Sequence, residues 1–443
     1  MAAQTDSSLV VHPSSSERPT WVRYQVLAAG CLLAVLTYIQ RLGFSAALPD
    51  IKRDIGINDD DIGDLTAAFL IAYGGFQVFG GFAGDRLGAR HFLTLLVLGW
   101  SLLTGAVALT TSLPEILALQ FGFLLVLRFL FGMLQAGGFP AWARVLADWM
   151  PLKERGFAQG LVWTFSRLGG ALSPLIFTSL FVLFGTWTTP FWAMAALGLL
   201  WCAVFWPWFR NRPDQMSLVN VAERDLIASG RSARDPAPSP VPWSRMLRSP
   251  SVWGLCLMYG FVGFSGNFVT SLLAVYLKDH CGLTRNETAW GFGLTLASGM
   301  VSCVAGGLLS DWIIRRSGNR KWGRRITGMI GVALAGLAFL VAPWVDGVVL
   351  LTIVFGTVFF GNDLIMGPAW AACADVGERH AGTLSGAMNM VGAFMGAAGM
   401  ALAGRLLRMH DYGLLFGIFA CSYAAAALCW LAVDVTKPLA ERT

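Results

Sequence analysis

Twelve long runs of apolar residues, separated by short polar segments, restrict the folds open to this chain more than any other feature. A helix needs about 20 predominantly apolar residues to cross the hydrocarbon core of a bilayer. We therefore predict an all-α, multi-pass membrane protein with twelve transmembrane helices. The predicted helices are 22–46, 62–83, 91–111, 114–140, 155–184, 188–208, 251–278, 288–314, 326–343, 346–372, 382–408 and 411–433.

Composition supports a membrane protein and argues against other classes. Of the 443 residues 56% are hydrophobic and only 13% are charged, whereas soluble domains carry about 25% charged residues. The eight cysteines are scattered without metal-ligand spacing, so we expect no metal site, no cofactor and no disulfide framework. The net charge of +6 is explained by basic loops, and we expect no nucleic-acid partner.

The polar segments divide the chain and orient it. Residues 209–249 are rich in proline and arginine and have no long apolar run, which predicts a linker between two halves. Basic loops on one side place both termini in the cytoplasm, and we expect the cytoplasmic (inner) membrane. The predicted parts are a disordered N-terminus at 1–20, bundles at 21–208 and 250–433 with the cytoplasmic linker 209–249 between them, and a tail at 434–443.

The loop between the second and third helices carries a distinctive pattern. It reads GGFAGDRLGAR at residues 80–90, and a degraded copy around Asp311 follows in the second half of the chain. A charged hairpin turn would be the plain explanation, but the pattern G-x-x-x-D-R-x-G-x-R resembles the signature loop of the major facilitator superfamily. The resemblance implies two six-helix bundles around a central cavity. It also implies a gating role for Gly81, Asp85, Arg86, Gly88, Arg90 and Asp311.

Three arginines lie inside apolar runs, where charged side chains are costly and usually functional. They are Arg41, Arg128 and Arg167, and the clearest counter-charge at that depth is Asp363. The excess of guanidinium groups predicts a positive cavity suited to an anion, since the planar fork binds carboxylate or phosphate in a bidentate way. Snorkelling to the outer interface is the alternative for Arg41, and a structural ion pair is the alternative for Arg167.

Around these arginines the chain resembles the anion:cation symporter family, which includes bacterial sugar-acid transporters, sialin and the vesicular glutamate transporters. The matching stretches are TYIQR at 37–41, QAGGFP at 135–140 and AGTLSGAMN at 381–389. The family's membrane-embedded acids are replaced by Gln40 and Gln135, which cannot titrate. Asp363 is therefore the candidate coupling residue, with a fixed counter-ion as the alternative role. Transport could thus be secondary active or facilitative, since uncoupled or potential-driven movement of the anion stays open.

Other polar or aromatic residues fall at positions where they could line the cavity. For each of them a packing or helix–helix hydrogen-bonding role is an open alternative. These substrate-binding candidates are Tyr38, Tyr73, Gln77, Gln135, Asn267, Ser271, Trp370 and Asn389.

The function we predict is transport of a small organic anion, such as a sugar acid or a mono- or dicarboxylate, by alternating access. A drug or cation antiporter and a transport-dead sensor are the alternatives. We expect no enzyme, because no nucleophile–base pair, metal cluster or phosphate-binding loop is visible. The expected partners are the anion, a coupling proton or cation and the lipid bilayer, and the expected state is a monomer.

Overall fold

The structure, a computed structural model, describes residues 18–229 and 240–439, and it is mostly helical over these ranges. Most of the predicted disordered N-terminus, residues 230–239 of the linker and the end of the tail lie outside the described residues. Twelve helical spans cross the described part of the molecule, as predicted. They are Val22–Ile55, Asp59–Gly75 with Gln77–Leu87, Ala89–Val107, Leu117–Ala136 with Gly138–Trp149, Arg155–Phe184, Thr188–Trp208, Pro250–Ser271, Arg285–Ser317, Arg320–Val341, Val348–Leu364 with Met366–Gly377, Ala381–Arg408 and Tyr412–Ala432.

The first six and the last six spans form two bundles, which we call the first and second halves. The segment between them contains two short helices, Val221–Ala228 and Trp243–Arg248. Because each half has an even number of spans, the chain enters the first span and leaves the last one at the same face of the molecule. We call that face the terminal side and the other face the opposite side.

The first span ends at Ile55 and not at residue 46, so its predicted boundary was wrong. Its last turns are polar, and the Arg53 guanidinium binds the Asp50 carboxylate at 3.0 Å. These turns extend the helix beyond its apolar run, and an estimate based on apolar length misses them. Arg41 therefore lies well inside the helix, which removes the reason for expecting it to snorkel to the interface.

The fourth and tenth spans are each broken in the middle, at Gly137 and at Ile365. A proline follows each break by three residues, Pro140 in one span and Pro368 in the other. Proline has no N–H to donate to the carbonyl four residues earlier, so the helix is interrupted there. The second span bends by 48° at the end of Asp59–Gly75. The terminal-side segments of these three spans pack against the other half.

The halves meet along two seams. In the first seam, Gln77–Leu87 of the second span packs on the eleventh span; in the second seam, the fifth span packs on the eighth and tenth spans. Glycine allows the close approach in both, because a Cβ on Gly81 would lie 2.1 Å from the Gly382 carbonyl oxygen. A Cβ on Gly307 would likewise lie 2.2 Å from the Gly156 carbonyl oxygen.

Candidate functional site

Asp85 fastens the first seam at the terminal side. Its carboxylate accepts hydrogen bonds from the backbone N–H groups of Gly382 at 3.0 Å and Thr383 at 2.7 Å, and from the Thr383 hydroxyl at 2.7 Å. These N–H groups belong to the first turn of the eleventh span, where unpaired donors and the helix dipole favour a negative charge. Asp85 therefore joins the second span to a helix of the other half.

The remaining residues of the signature loop act within the first half. Gly88 adopts a φ of 81°, a conformation that glycine adopts readily, and it ends the second span. The Arg90 Nε donates to the Trp206 carbonyl oxygen at 2.9 Å. The Arg86 guanidinium lies 5.7 Å from the centre of the Phe82 ring. Arg86, Gly88 and Arg90 thus shape the turn, while the contact across the seam is made elsewhere.

Asp311 occupies the equivalent place in the second seam. Its carboxylate accepts hydrogen bonds from the backbone N–H groups of Gly156 at 3.2 Å and Phe157 at 2.7 Å, at the start of the fifth span. Unlike Asp85, it also makes a close ion pair, with the Arg324 guanidinium at 2.7 Å. Both of these side chains are completely buried.

Two further charges extend the second seam into a network. The Arg324 Nε lies 3.4 Å from the Asp375 carboxylate, and Asp375 pairs with Arg155 at 2.7 Å. Arg155 also donates to the Ala147 carbonyl oxygen at 2.7 Å. Two arginines and two aspartates therefore balance one another in a buried cluster that spans both halves.

The hydrogen bonds between the halves, among the described residues, run from the terminal side to the middle of the spans. The Arg167–Asp363 pair joins the fifth and tenth spans near their middle. The halves are thus fastened together at the terminal side.

Arg41 belongs to the first half and lies near the place where the two halves meet. Its Nε donates to the Gln135 side-chain oxygen at 2.9 Å, and its guanidinium carbon lies 4.3 Å from the centre of the Tyr73 ring and 4.9 Å from that of Tyr38. Its buried Nη2 has no hydrogen-bond partner among the described residues. Three predicted residues, Tyr38, Tyr73 and Gln135, therefore hold this guanidinium without neutralising it.

Arg128 is surrounded by aromatic rings. Its guanidinium carbon lies 4.3 Å from the ring centre of Phe44, 4.7 Å from that of Phe69 and 5.5 Å from that of Phe131. The side chain is 6% exposed, and its Nε has no hydrogen-bond partner in the described part of the chain. Cation–π contacts stabilise it only partly. Because Arg41 also contacts the Phe69 ring, at 5.6 Å, the two guanidiniums are neighbours.

Arg167, by contrast, is paired. Its Nε and Nη2 each donate to the Asp363 carboxylate at 2.8 Å, in a bidentate ion pair between the fifth and tenth spans. Asp363 also accepts a hydrogen bond from the Asn362 side-chain amide at 3.0 Å, and Asn362 accepts one from the Tyr423 hydroxyl at 2.8 Å. Of the three arginines predicted to face the cavity, this is the one with a carboxylate partner.

Three predicted residues bridge the first seam deeper in the membrane. The Asn389 amide nitrogen donates to the Gln77 side-chain oxygen at 2.7 Å and to the Tyr73 hydroxyl at 3.4 Å. Tyr73 also contacts Arg41 through its ring. Asn389 of the second half is therefore linked through one side chain to the arginines of the first half.

A cluster of aromatic rings lies between the halves around Trp370. Its indole N–H donates to the Tyr259 hydroxyl at 3.3 Å, and its ring centre lies 5.3 Å from that of Trp163 and 6.2 Å from that of Phe139. Of these four rings, Trp370 alone was predicted from the sequence. Each of the other rings lies in an apolar run. Predicting this cluster from the sequence would have required knowing that four separate spans meet here.

Two predicted residues lie away from the arginines. Ser271 is exposed at the end of the seventh span, and Asn267 faces Gly396 of the eleventh span within the second half. Gln40 points away from Arg41, because its amide donates to the Met194 carbonyl oxygen at 2.8 Å. The two glutamines that replace the family's acids thus face different surroundings.

The fold and the site together define a membrane transporter built from two halves, with unneutralised guanidinium groups where the halves meet. Residues 30–400 match the family model described as the Major Facilitator Superfamily. The chain belongs to this superfamily, which confirms the resemblance of its signature loop.

Similar proteins agree with that assignment. The chain is 31% identical over 420 residues to a probable sulfoacetate transporter of Cupriavidus necator, covering 93% of this chain and 94% of the relative. It is 27% identical to a probable galactarate/D-glucarate transporter of Escherichia coli, covering 88% of each chain. Among solved structures, a proton:xylose symporter of the same superfamily superposes with a TM-score of 0.72 at 14% identity, covering 94% of this chain and 96% of that one. That likeness concerns the fold alone.

Proposed function

We propose that this chain transports a small organic anion across the cytoplasmic membrane by alternating access, and that Arg41 and Arg128 bind the anion. The observation that carries the proposal is a pair of guanidinium groups beside the Phe69 ring in the middle of the spans. Among residues 18–229 and 240–439 neither has a carboxylate partner, and each has an N–H group without a hydrogen-bond partner. Desolvated guanidinium groups gain most from an anion that accepts two hydrogen bonds.

The two neighbouring guanidiniums favour a compact dianion over a monoanion. Sulfoacetate carries a sulfonate and a carboxylate, and D-glucarate carries two carboxylates; relatives named for both anions align with most of this chain. We place sulfoacetate first because its relative has the higher identity.

The terminal side is cytoplasmic in this proposal, since basic loops concentrate there. The contacts of Asp85 and Asp311 then close the cytoplasmic gate, and the described state is the one that receives substrate from outside. Binding of the anion would affect the first seam through the hydrogen bonds among Tyr73, Gln77 and Asn389. Trp370 would line the terminal-side end of the anion site. The chain acts as a monomeric carrier and performs no chemical conversion.

A thermal-shift screen of the purified full chain tests the proposal. Sulfoacetate, D-glucarate and D-glucuronate should raise the melting temperature, and choline at the same ionic strength should not. A ligand at 100 times its Kd stabilises a protein by about 2.7 kcal/mol, which such a screen can detect. Stabilisation by choline, with no response to any organic anion, would instead favour a cation antiporter.

A further inference from the structure

The Arg167–Asp363 ion pair joins the two halves at mid-membrane depth. It has both hydrogen bonds of a bidentate pair, at 2.8 Å each, and its carboxylate is completely buried. The carboxylate fits a slot in the eighth span, since a Cβ on Gly299 would lie 2.7 Å from the Asp363 Oδ2. Asp363 is thus fixed in place, and Arg167 is the longer and more mobile partner.

The groups that face Asp363 cannot replace Arg167. The Asn362 amide donates at 3.0 Å, and the Cys303 thiol of the eighth span lies at 3.7 Å. The Tyr423 hydroxyl of the twelfth span is turned to Asn362. The ninth span packs on the tenth nearby through glycine and alanine, and the seventh through glycine, so neither brings a charge. Without Arg167, a carboxylate in this position would be a buried and uncompensated charge, which favours its protonated form.

Arg167 is also within range of the anion site. Its side chain is 20% exposed, while Asp363 has no exposed surface. The Arg41 guanidinium lies 4.9 Å from the centre of the Tyr38 ring, and the Arg167 guanidinium lies 5.9 Å from that of Trp163. Phe139 lies between these two rings, 6.1 Å from Tyr38 and 4.8 Å from Trp163, so one aromatic cluster separates the two guanidiniums. An anion bound at Arg41 would therefore compete with Asp363 for the Arg167 fork.

We infer that the transported anion replaces Asp363 as the ion-pair partner of Arg167, and that Asp363 then binds one proton from the outer solution. The inference rests on the proposed function and deepens it by assigning the coupling ion. The carboxylate gains the proton, the guanidinium keeps its charge and exchanges one anionic partner for another, and the proton is released when Arg167 returns after the anion leaves. Coupling here does not need Gln40 or Gln135, which cannot titrate.

The exchange also affects the halves. The Arg167–Asp363 pair connects the fifth span of the first half to the tenth span of the second half. Loss of the pair therefore removes a bidentate link between the halves, and one event joins anion binding, proton binding and a weaker contact between the halves.

The test measures protons taken up when the anion binds. Purified full-length protein in weakly buffered detergent solution at pH 7 receives pH-matched sulfoacetate or D-glucarate, and an indicator dye reports the proton change while calorimetry reports the bound anion. The wild-type protein should take up about one proton per anion, because both ligands are already ionised at this pH.

Three variants locate the proton. Asp363→Asn should bind the anion with no proton uptake. If that variant fails to fold because Arg167 is left unpaired, the double variant Arg167→Gln with Asp363→Asn removes both charges and should also show no proton uptake. Asp434→Asn, which alters an acid paired with Lys321 after the last span, should keep the wild-type ratio.

Two results would overturn the exchange. One is anion binding to the wild-type protein without proton uptake; the other is undiminished uptake in the folded Asp363 variants. If neither anion binds the wild-type protein, the proposed function fails, and the exchange fails with it. The binding measurement therefore distinguishes failure of the function from failure of the exchange alone.

Discussion

Asp85 and Asp311 each accept hydrogen bonds from the first turn of a helix in the opposite half, yet the two seams differ in charge. Asp311 is completely buried with Arg324 at 2.7 Å, and Arg324 is in turn shared with Asp375. The cation beside Asp85 is Arg144, which lies 3.8 Å away, is partly exposed and binds Asp148 more closely, at 2.7 Å. The glycine contacts of the two seams are nearly equal, so charge is the main difference.

This difference shows that a closer match to the signature pattern does not predict stronger interactions between the halves at that seam. The loop with the complete pattern fastens its seam mainly by capping hydrogen bonds. The degraded copy acquires partners from Arg155 and Asp375, which lie far from it in the chain. A buried network of opposite charges is costly to break, so we expect more free energy to be needed to open the second seam than the first.

The largest effect should follow from Asp311→Asn. The change leaves two buried arginines with one carboxylate, and an uncompensated buried charge destabilises a protein by about 3–5 kcal/mol. Thermal unfolding in detergent should therefore occur at a clearly lower temperature than in the wild-type protein. Adding Arg324→Gln should restore part of the loss, because it returns the cluster to neutrality. A double variant no more stable than Asp311→Asn would contradict the charge argument.

Asp85→Asn should have a smaller effect that is kinetic. A neutral amide loses the favourable interaction with the helix dipole, about 0.3–1 kcal/mol, while Arg144 keeps Asp148. The closed cytoplasmic gate is then less populated, and counterflow exchange of labelled sulfoacetate in proteoliposomes should slow a few-fold. The Kd should stay within about two-fold of the wild-type value. A collapse of affinity with normal exchange would show that Asp85 belongs to the binding site.

The smallest effect should come from Glu223, an acid that caps a helix without joining the halves. It accepts hydrogen bonds from the backbone N–H groups of Val22 and Arg23, at 3.1 Å each, at the start of the first span. Burial would raise the pKa of this carboxyl, but hydrogen bonds from the Thr20 hydroxyl and these amides outweigh burial and hold the pKa below its ordinary value. Glu223→Gln should therefore lower stability at pH 7 and leave exchange unchanged.

The pH dependence of the Glu223 effect follows from the lowered pKa. The ionised carboxyl stabilises the fold above the ordinary glutamate pKa of about 4.3, and this stabilisation is lost as pH falls through the lower value of the folded protein. Melting curves from pH 7 to pH 3 should show the wild-type protein and Glu223→Gln converging at the acid end. A constant gap between the curves would exclude an ionised cap.

Much of the fold could be predicted because apolar length and glycine spacing are local properties of a sequence. The all-helical class and the twelve spans were found in this way. Span ends were less certain, since polar turns such as those beyond residue 46 remain helical outside the lipid. The breaks in the fourth and tenth spans could not be read from Pro140 and Pro368 alone, because Pro49, Pro174 and Pro207 lie inside helices that continue unbroken.

Less of the site could be predicted, because partners come from distant parts of the chain. The three arginines were visible as charges in apolar runs, and the sequence left open whether Arg167 binds an anion or Asp363. In the structure Asp363 pairs with Arg167, and no carboxylate of the described residues pairs with Arg41 or Arg128. Tyr259 and Trp163 were missed because an aromatic residue in an apolar run gives no sign of its neighbours.

The most direct test of anion binding by these arginines is the Kd for labelled sulfoacetate in wild-type, Arg128→Lys and Arg53→Lys proteins. Arg53 is a control because its side chain is 68% exposed and lies near the end of the first span. A lysine cannot reproduce the bidentate fork, and a lost charged hydrogen bond costs about 1.5–3 kcal/mol. We predict that Arg128→Lys weakens binding at least ten-fold while Arg53→Lys does not. Equal affinity in all three well-folded proteins would contradict the account.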